Sequence, residues 1–460
     1  MGSTRPDPPG TAPVPVNGGT ADVLAAFHGQ SHDKDVGPVR TLFFGPALSN
    51  GLARPVPGRV RPSLPALEPL RGLDAAGPAL DGPWTRAQRV LAACVEAVRV
   101  RRVSAADRYP VHRAYPSPRG LFGADLFLVP AADDPASWCL RVDPQSHALQ
   151  PWNGAPVPDP DTALDGSRLV VAVDHRRYPP EYGRLRPSLA LLEGGHLLAV
   201  LGLALARAGL RPRTRFGPSD TPVPDGFSPC GSVALEPEAS RGDAESRGGG
   251  AGAPAVSPDA LERVAAVAAP SGTSLRRWLD DRTSGLSTAN LVTSAHIAPE
   301  DGAGVTSSLA AALGAVADAL PAPGSLRLYR TVLVADRVDD RAVCELRPDG
   351  TDDGPRRVPR TVETNFSSPL GYTLAADVLP WARAHGDHAQ TVLHTLLGWT
   401  AQWGCLGAAA TGLCARPMRN YQEADWAAVL GLDPAQTPAY QLWIRRERGS
   451  YMDVPVDTRP

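Results

Sequence analysis

Residues 182–210 read Y-G-R-L-R-P-S-L-A-L-L-E-G-G-H-L-L-A-V-L-G-L-A-L-A-R-A-G-L, and the fold turns on how they are read. After Pro187 the stretch is apolar on nearly every face, from Leu189, Leu191 and Leu192 through Leu197, Leu198, Val200, Leu201, Leu203 and Leu205. Pro187 suits a first helical turn, where a missing N–H costs nothing. Gly209 suits the left-handed position just past a helix end. A helix that is greasy all round belongs inside a large protein or in a membrane. The uninterrupted apolar run, Leu197 to Ala206, is about half of the ~20 residues a span needs. The stretch therefore reads as a buried central helix. Glu193 and His196 sit three apart on it, on neighbouring turns of one face.

Composition bounds the rest. At 460 residues the chain has room for two or three domains. A net charge of −2 implies no surface for a polyanion, hence no nucleic-acid partner. Lys34 is the one lysine among 46 basic residues. The 49 prolines and 45 glycines predict long loops and disordered tails. The six cysteines form no C-x-x-C pair and no zinc spacing, so they read as buried, idle thiols in a reducing compartment. Residues 1–17 lack the apolar core of a signal peptide. The expectation is a cytoplasmic protein with no membrane span and no metal site.

Along the chain, residues 1–20 read as disordered. A first domain is expected over 21–216, with short helical and extended pieces at Ala21–Phe27 and Thr41–Phe44. Helical spacing of Val90, Leu91, Cys94, Val95 and Val98 predicts a helix over Trp84–Val100. Asp125–Pro130, Trp138–Val142 and Leu169–Asp174 read as strands, ahead of the central helix. Residues 217–258 carry S-R-G-D-A-E-S-R-G-G-G-A-G-A-P and read as a linker.

A second domain is expected over 259–460. Helices are predicted at Asp259–Ala268, with Asp259 as cap, at Thr306–Leu320, Trp381–Leu406 and Asp425–Leu430. Strands are predicted at Leu326–Val334, Val343–Arg347 and Tyr440–Arg445. Cys139-Leu-Arg-Val-Asp-Pro has a loose echo in Cys344-Glu-Leu-Arg-Pro-Asp, 205 residues on. Glu193-Gly-Gly-His196 has one in His385-Gly-Asp-His388, 192 residues on. Spacings near 200 suggest two copies of one domain.

The Y-G before A-L-L-E-G-G-H resembles the SagB-type azoline dehydrogenases, flavin enzymes of the nitroreductase superfamily. Arg113-Ala-Tyr-Pro116-Ser117-Pro-Arg-Gly120-Leu121-Phe122-Gly-Ala-Asp125-Leu-Phe-Leu-Val129 resembles their R-x-x-P-S-x-G-x-L-Y-P-x-E-L-Y-x-V segment. The two matches stand in the family's order. The resemblance covers residues 95–215 well and 260–445 loosely. It implies an α+β nitroreductase-like fold, here a tandem duplication that makes the family's dimer within one chain. It also implies FMN.

FMN needs cations and N–H donors for its phosphate and a flat slot for its ring. Arg282-Thr283-Ser284 resembles the family's Arg-x-Ser, so Arg282 and Ser284 are candidate phosphate and ribityl ligands. Arg416 and Arg419 follow a small-residue helix end and resemble the family's basic loop, where two arginines three apart can fork a phosphate. Arg102 and Ser104 are a first-half candidate for the Arg-x-Ser role. Pro116 and Ser117 match the P-S that lies along the flavin ring. The family's next glycine is Arg119 here. The family's catalytic Lys-Tyr is Glu181-Tyr182 here. Tyr182 keeps its place, and Glu181 is a candidate base if an apolar slot raises its proton affinity. Bland roles compete for each: His196 as a satisfied core histidine with Glu193 as its partner, His388 likewise, and the arginines as surface charges.

The resemblance implies an FMN-dependent azoline dehydrogenase acting on a precursor peptide, with cyclodehydratase partners. The alternatives are an NAD(P)H-dependent nitro or quinone reductase, and a flavin-free scaffold that binds the peptide or partner enzymes. A monomeric pseudo-dimer or a homodimer is expected.

Overall fold

The computed structural model describes residues 86–104, 109, 111–130, 138–144, 148–152, 167–218, 223–235, 254–269, 274–285, 297, 299–334, 337–358, 368–419, 421–446 and 453–455. Residues 1–20, the pieces at Ala21–Phe27 and Thr41–Phe44, and residues 219–222 and 236–253 of the expected linker lie outside them.

Among the described residues the first half opens with helix α1 (Arg86–Val98), then short strands β1 (Arg102–Ser104) and β2 (Val111–His112). Strands β3 (Ala124–Val129), β4 (Leu140–Asp143), β5 (Ala148–Pro151) and β6 (Arg168–Val173) lead to the central helix α2 (Leu185–Arg207). Strands β7 (Pro212–Phe216), β8 (Ser228–Leu235) and β9 (Ala255–Val256) complete it. The second half runs α3 (Pro258–Ala268), α4 (Leu275–Asp281), α5 (Pro299–Ala315), β10 (Leu326–Val334), β11 (Arg337–Leu346), β12 (Arg356–Val358) and β13 (Leu370–Asp377). It continues with α6 (Val378–His385), α7 (Ala389–Ala410), β14 (Cys414–Met418), α8 (Glu423–Leu430), β15 (Gln436–Arg445) and β16 (Asp453–Pro455).

The halves share one topology. The first sheet runs β5-β4-β3-β6-β8-β7-β9 and the second β12-β11-β10-β13-β15-β14. Apart from the added edge strand β9, the orders match strand for strand. The pairing of β6 with β8 slips at Val171/Ala172, and that of β13 with β15 slips at Leu374/Ala375. A bulge repeated at one register position is a feature built twice. Gly183 (φ 48°, ψ −128°) and Gly386 (φ 51°, ψ −129°) adopt one unusual conformation just before the two central helices. Gly209 and Gly412, both at positive φ, end those helices. In each, the next residue bonds back five positions, Leu210 N–H to Leu205 O and Leu413 N–H to Ala408 O, in the Schellman manner.

These pairs fix the repeat at 203 residues. The Cys139/Cys344 echo points to the corresponding strands β4 and β11 but is two residues out of register: Cys344 is the counterpart of Arg141, and Cys139 lies just before β4. The other echo is corrected: His385-Gly-Asp-His388 aligns with Tyr182-Gly-Arg-Leu185, while Glu193-Gly-Gly-His196 aligns with Leu396-Leu-Gly-Trp399. Matching by histidine misled, because the internal repeat keeps backbone geometry and not side-chain chemistry.

The two central helices pack on each other through backbone. A Cβ on Gly195 would stand 2.0 Å from Thr395 O, and one on Gly398 would stand 2.0 Å from Leu192 O. Each glycine lies against the residue three before its counterpart, as a twofold axis requires. Around this crossing the core is continuous across both halves, with Leu197, Leu198 and Leu201 joined to Leu393, Leu396 and Leu397. By length and composition α2 could cross a membrane, but 89% of its most apolar window is buried inside the protein.

Three other expectations change. Strand β8 lies inside the stretch read as linker, yet it is an inner strand between β6 and β7. Its S-P-C-G-S start hid it, because proline and glycine are rare inside strands. The long helix expected over Trp381–Leu406 is two helices, α6 and α7, broken at Gly386. The cap of α3 is Ser257, whose hydroxyl accepts from Ala260 N–H, and not Asp259.

Gly195→Ala and Gly398→Ala should each destabilise the protein by about 3 kcal/mol or more, because backbone on both sides cannot yield. Gly314→Ala, in α5 with nothing within 4 Å of the new Cβ, should stabilise it by about 0.5–1 kcal/mol. Urea unfolding of the three variants checks the contrast.

Candidate functional site

The site is built around Glu193, buried on α2. Its carboxylate accepts from three donors: Ser117 Oγ at 2.5 Å, Tyr178 Oη at 2.8 Å and Ala124 N–H at 3.0 Å. Burial nonetheless leaves its proton affinity raised, with the Ser117, Ala124 and Tyr178 bonds pulling the other way. Ser117 Oγ in turn accepts from Phe122 N–H at 2.8 Å. One carboxylate thus ties the 113–122 loop and the 174–183 segment to the central helix. Asp125 adds a second tie, pairing with Arg141 at 2.8 Å and with Arg177, which also donates to Phe122 O at 2.8 Å.

His196 is a satisfied core histidine, but its partner is not Glu193. Gln402 Nε2 donates to Ala114 O at 3.0 Å, which orients the amide. Gln402 Oε1 then accepts from His196 Nδ1 at 2.8 Å, and His196 Nε2 accepts from Tyr440 Oη at 3.0 Å. This chain crosses between the halves three times and pins the loop at Ala114 to α7. Burial holds His196 neutral, with its pKa pushed down to about 3.

The basic candidates divide into two groups. Arg282 is 2% exposed, yet no described carboxylate pairs with it. It donates to Ser284 Oγ at 3.2 Å and to Arg113 O at 3.1 Å, and its Nε–H is buried without a partner. Burial first, and Arg102 second, bring its pKa down to about 10. Arg102 donates to Asp280 O at 2.8 Å and Arg282 O at 3.2 Å. Arg416 donates to Ser284 O at 3.2 Å and Gly285 O at 3.4 Å. Arg282, Ser284, Arg416 and Arg102 therefore gather in one place, next to the loop of Pro116 and Ser117.

Arg102 and Ser104 do not form a separate, twofold-related copy of Arg282 and Ser284. They lie on β1, which pairs with β2 and with β16 from the far end of the chain. Arg419 is engaged elsewhere: it pairs with Glu423 at 3.0 Å and donates to His394 Nε2 at 2.7 Å. It sits just past β14, a strand where a basic loop was expected, and does not fork with Arg416. Arginine can only donate, so His394 carries its proton on Nδ1, toward Gln390 O at 2.9 Å.

Tyr182 is half-buried in the turn before α2, and burial pushes its phenol up to about 12, with Arg119 pulling the other way. The Arg119 guanidinium lies 5.3 Å from the centre of its ring. Arg119 has φ 54°, a left-handed conformation that side chains resist, where the resembled family has glycine. Glu181 is exposed and lacks the apolar slot its role as base was expected to draw on. His388 is exposed too. Five of the six cysteines are buried free thiols, and Cys139 is half-buried. Among the described residues no group of metal ligands forms.

Sequence reasoning missed the Gln402–Tyr440 relay and the Tyr178 contact. Both join residues far apart in sequence, and no local motif marks the crossing that brings them together.

No family model matches the chain, and no curated protein does. Among solved structures, a protein from Anabaena variabilis ATCC 29413, provisionally described as a nitroreductase, aligns over 93% of this chain and 99% of its own, with a TM-score of 0.61 and 14% identity. The chain has a nitroreductase-like fold. A second such protein, from Ralstonia eutropha JMP134, aligns over 33% of this chain and 74% of its own at 14% identity, with a TM-score of 0.26 that carries no weight. Within the nitroreductase-like fold, Arg282 touches one end of the loop 113–117, at Arg113 O, and the Glu193 carboxylate touches the other, at Ser117 Oγ.

Three buried or half-buried histidines, His112, His196 and His394, have their pKa lowered from 6.5 to about 3, chiefly by burial. Below pH 6.5 the unfolded chain binds these protons and the folded chain does not. Stability should therefore be flat above neutrality and fall with acid from pH 6.5 toward pH 3, by up to about 1.4 kcal/mol per pH unit per histidine. Glu96 adds to the loss. Burial would raise it, but Arg101 and Arg99 hold it at about 2, so its contribution fades as pH falls from 4.5. Urea midpoints from pH 8 to pH 4 check this.

Proposed function

We propose that the chain is an FMN-dependent dehydrogenase that oxidises thiazolines or oxazolines in a ribosomally made peptide to thiazoles or oxazoles. One observation carries the reading. The two stretches that resemble the azoline dehydrogenases meet at a single carboxylate, where Ser117 and Glu193 join at 2.5 Å. Beside them stands a buried guanidinium, Arg282, with no carboxylate partner among the described residues. An unpaired buried charge costs several kcal/mol, which a bound anion would offset.

These residues fit FMN. Arg282, Ser284 and Arg416 would hold its phosphate and ribityl oxygens, with Arg102 behind them, and Pro116 and Ser117 would lie along its ring. Bound there, FMN supplies the acceptor for the two electrons that leave the azoline. The chain's own groups position and polarise the substrate. Tyr182 keeps its phenol protonated at neutral pH and donates to the azoline nitrogen, which acidifies the ring carbon's proton. Exposed Glu181 relays that proton to water. The peptide substrate would arrive from cyclodehydratase partners, since cyclodehydration is the chemistry that makes an azoline.

A second reading, an NAD(P)H-dependent nitro or quinone reductase, draws on the description of the Anabaena protein. A third, the flavin-free scaffold, leaves the charge of Arg282 without a purpose.

FMN-loaded protein in air should remove two hydrogen atoms from a thiazoline-containing peptide, read by mass spectrometry. Tyr182→Phe should slow the reaction at least about 100-fold. An unchanged peptide mass, together with bleaching of the bound flavin by NAD(P)H alone, would favour the reductase.

A further inference from the structure

The halves match in backbone but not at the places that make the candidate site. With Gly386 on Gly183 and Gly398 on Gly195, His385 stands where Tyr182 stands, Leu396 where Glu193 stands and Trp399 where His196 stands. Leu396 is fully buried and has no polar group to anchor a loop. Trp399 packs edge-on against Phe216 at 5.9 Å and Trp403 at 5.7 Å. His385 lies against Trp381, with ring centres 5.8 Å apart.

The connections differ in the same sense. Between α1 and β3 the first half threads residues 99–123, which hold Arg113, Pro116 and Ser117. Between α5 and β10 the second half has only residues 316–325, a tight turn through Ala317–Ala319 closed by Ser325 N–H to Ala322 O at 3.1 Å. It contains no P-S pair. Before the central helices, the first half has the two short turns that carry Tyr178 and Tyr182, and the second half has the regular helix α6.

We propose that the chain builds one flavin site, from the loop 113–117 of the first half and Arg282 and Ser284 of the second, and that the twofold-related place holds no flavin. This rests on the flavin reading above. Four changes act together there: the loop is shortened, the carboxylate that would tie it is a leucine, the relay histidine is a tryptophan, and the tyrosine is a histidine tilted against an indole. The second half serves as a permanent partner, giving its phosphate anchor to the other half's ring slot.

The test is the FMN content of the full chain after reconstitution and gel filtration, with released flavin counted against protein. The expected result is one FMN per chain, at most a tenth of that in Arg282→Leu, and one again in His385→Ala. Two per chain in the wild type, or a full equivalent left in Arg282→Leu, would overturn the single site and leave the flavin reading standing. No flavin in the wild type would overturn both. If Arg282→Leu fails to fold by circular dichroism, Ser284→Ala takes its place. It should weaken FMN binding at least fivefold in a single-class titration, and a second, unaffected class of site would overturn the proposal.

Discussion

Everything in this structure hangs on the place where two helices touch backbone to backbone. Gly195 and Gly398 bring α2 and α7 closer than any side chain would allow. Four consecutive residues of α2 then divide the surrounding space. Glu193 reaches the loop of Ser117, Gly194 admits Cys230 and Val173 of the sheet, Gly195 meets α7, and His196 meets Gln402 and Tyr440. A shift of the crossing by one residue would move the loop anchors of the first half away from the guanidinium of the second.

Charge balance separates what holds the fold from what awaits a ligand. Arg99 and Arg101 are as buried as Arg282, but Glu96 and Asp280 stand beside them, at 2.5–3.5 Å. Arg419 has Glu423. Those pairs cost desolvation and recover it by attraction, and they stitch α1 to α4 across the halves. Among the described residues Arg282 has only carbonyl and hydroxyl acceptors, with a second arginine beside it. The difference singles out Arg282 as the candidate cation of the proposed site, though all of these arginines look alike in sequence.

Most helices were legible because their apolar spacing is regular, although Trp381–Leu406 was read through the break at Gly386 and Thr306–Leu320 is Pro299–Ala315, and β10 was readable to the residue. The inner strand β8 was not, since Pro229 and Gly231 disguise it, and Gly231 is there because Leu198 and Arg215 O leave no room for a side chain. Of the candidate site, Pro116, Ser117, Tyr182, Arg282, Ser284 and Arg416 were candidates from motifs alone. Their grouping could not be read that way, because it depends on a crossing between residues two hundred apart. Arg419 was misjudged for the same reason: a three-residue spacing that forks on a loop points two ways when it begins on a strand. The true partners of Glu193 and His196 required the tertiary structure.

The most direct measurement is a crystal structure of the protein with FMN. The expected result is a phosphate on Arg282 and Ser284 and a ring against Pro116 and Ser117, with both halves contributing to one molecule. A flavin held by one half alone, or a phosphate on Arg419 with Arg282 untouched, would contradict the composite site.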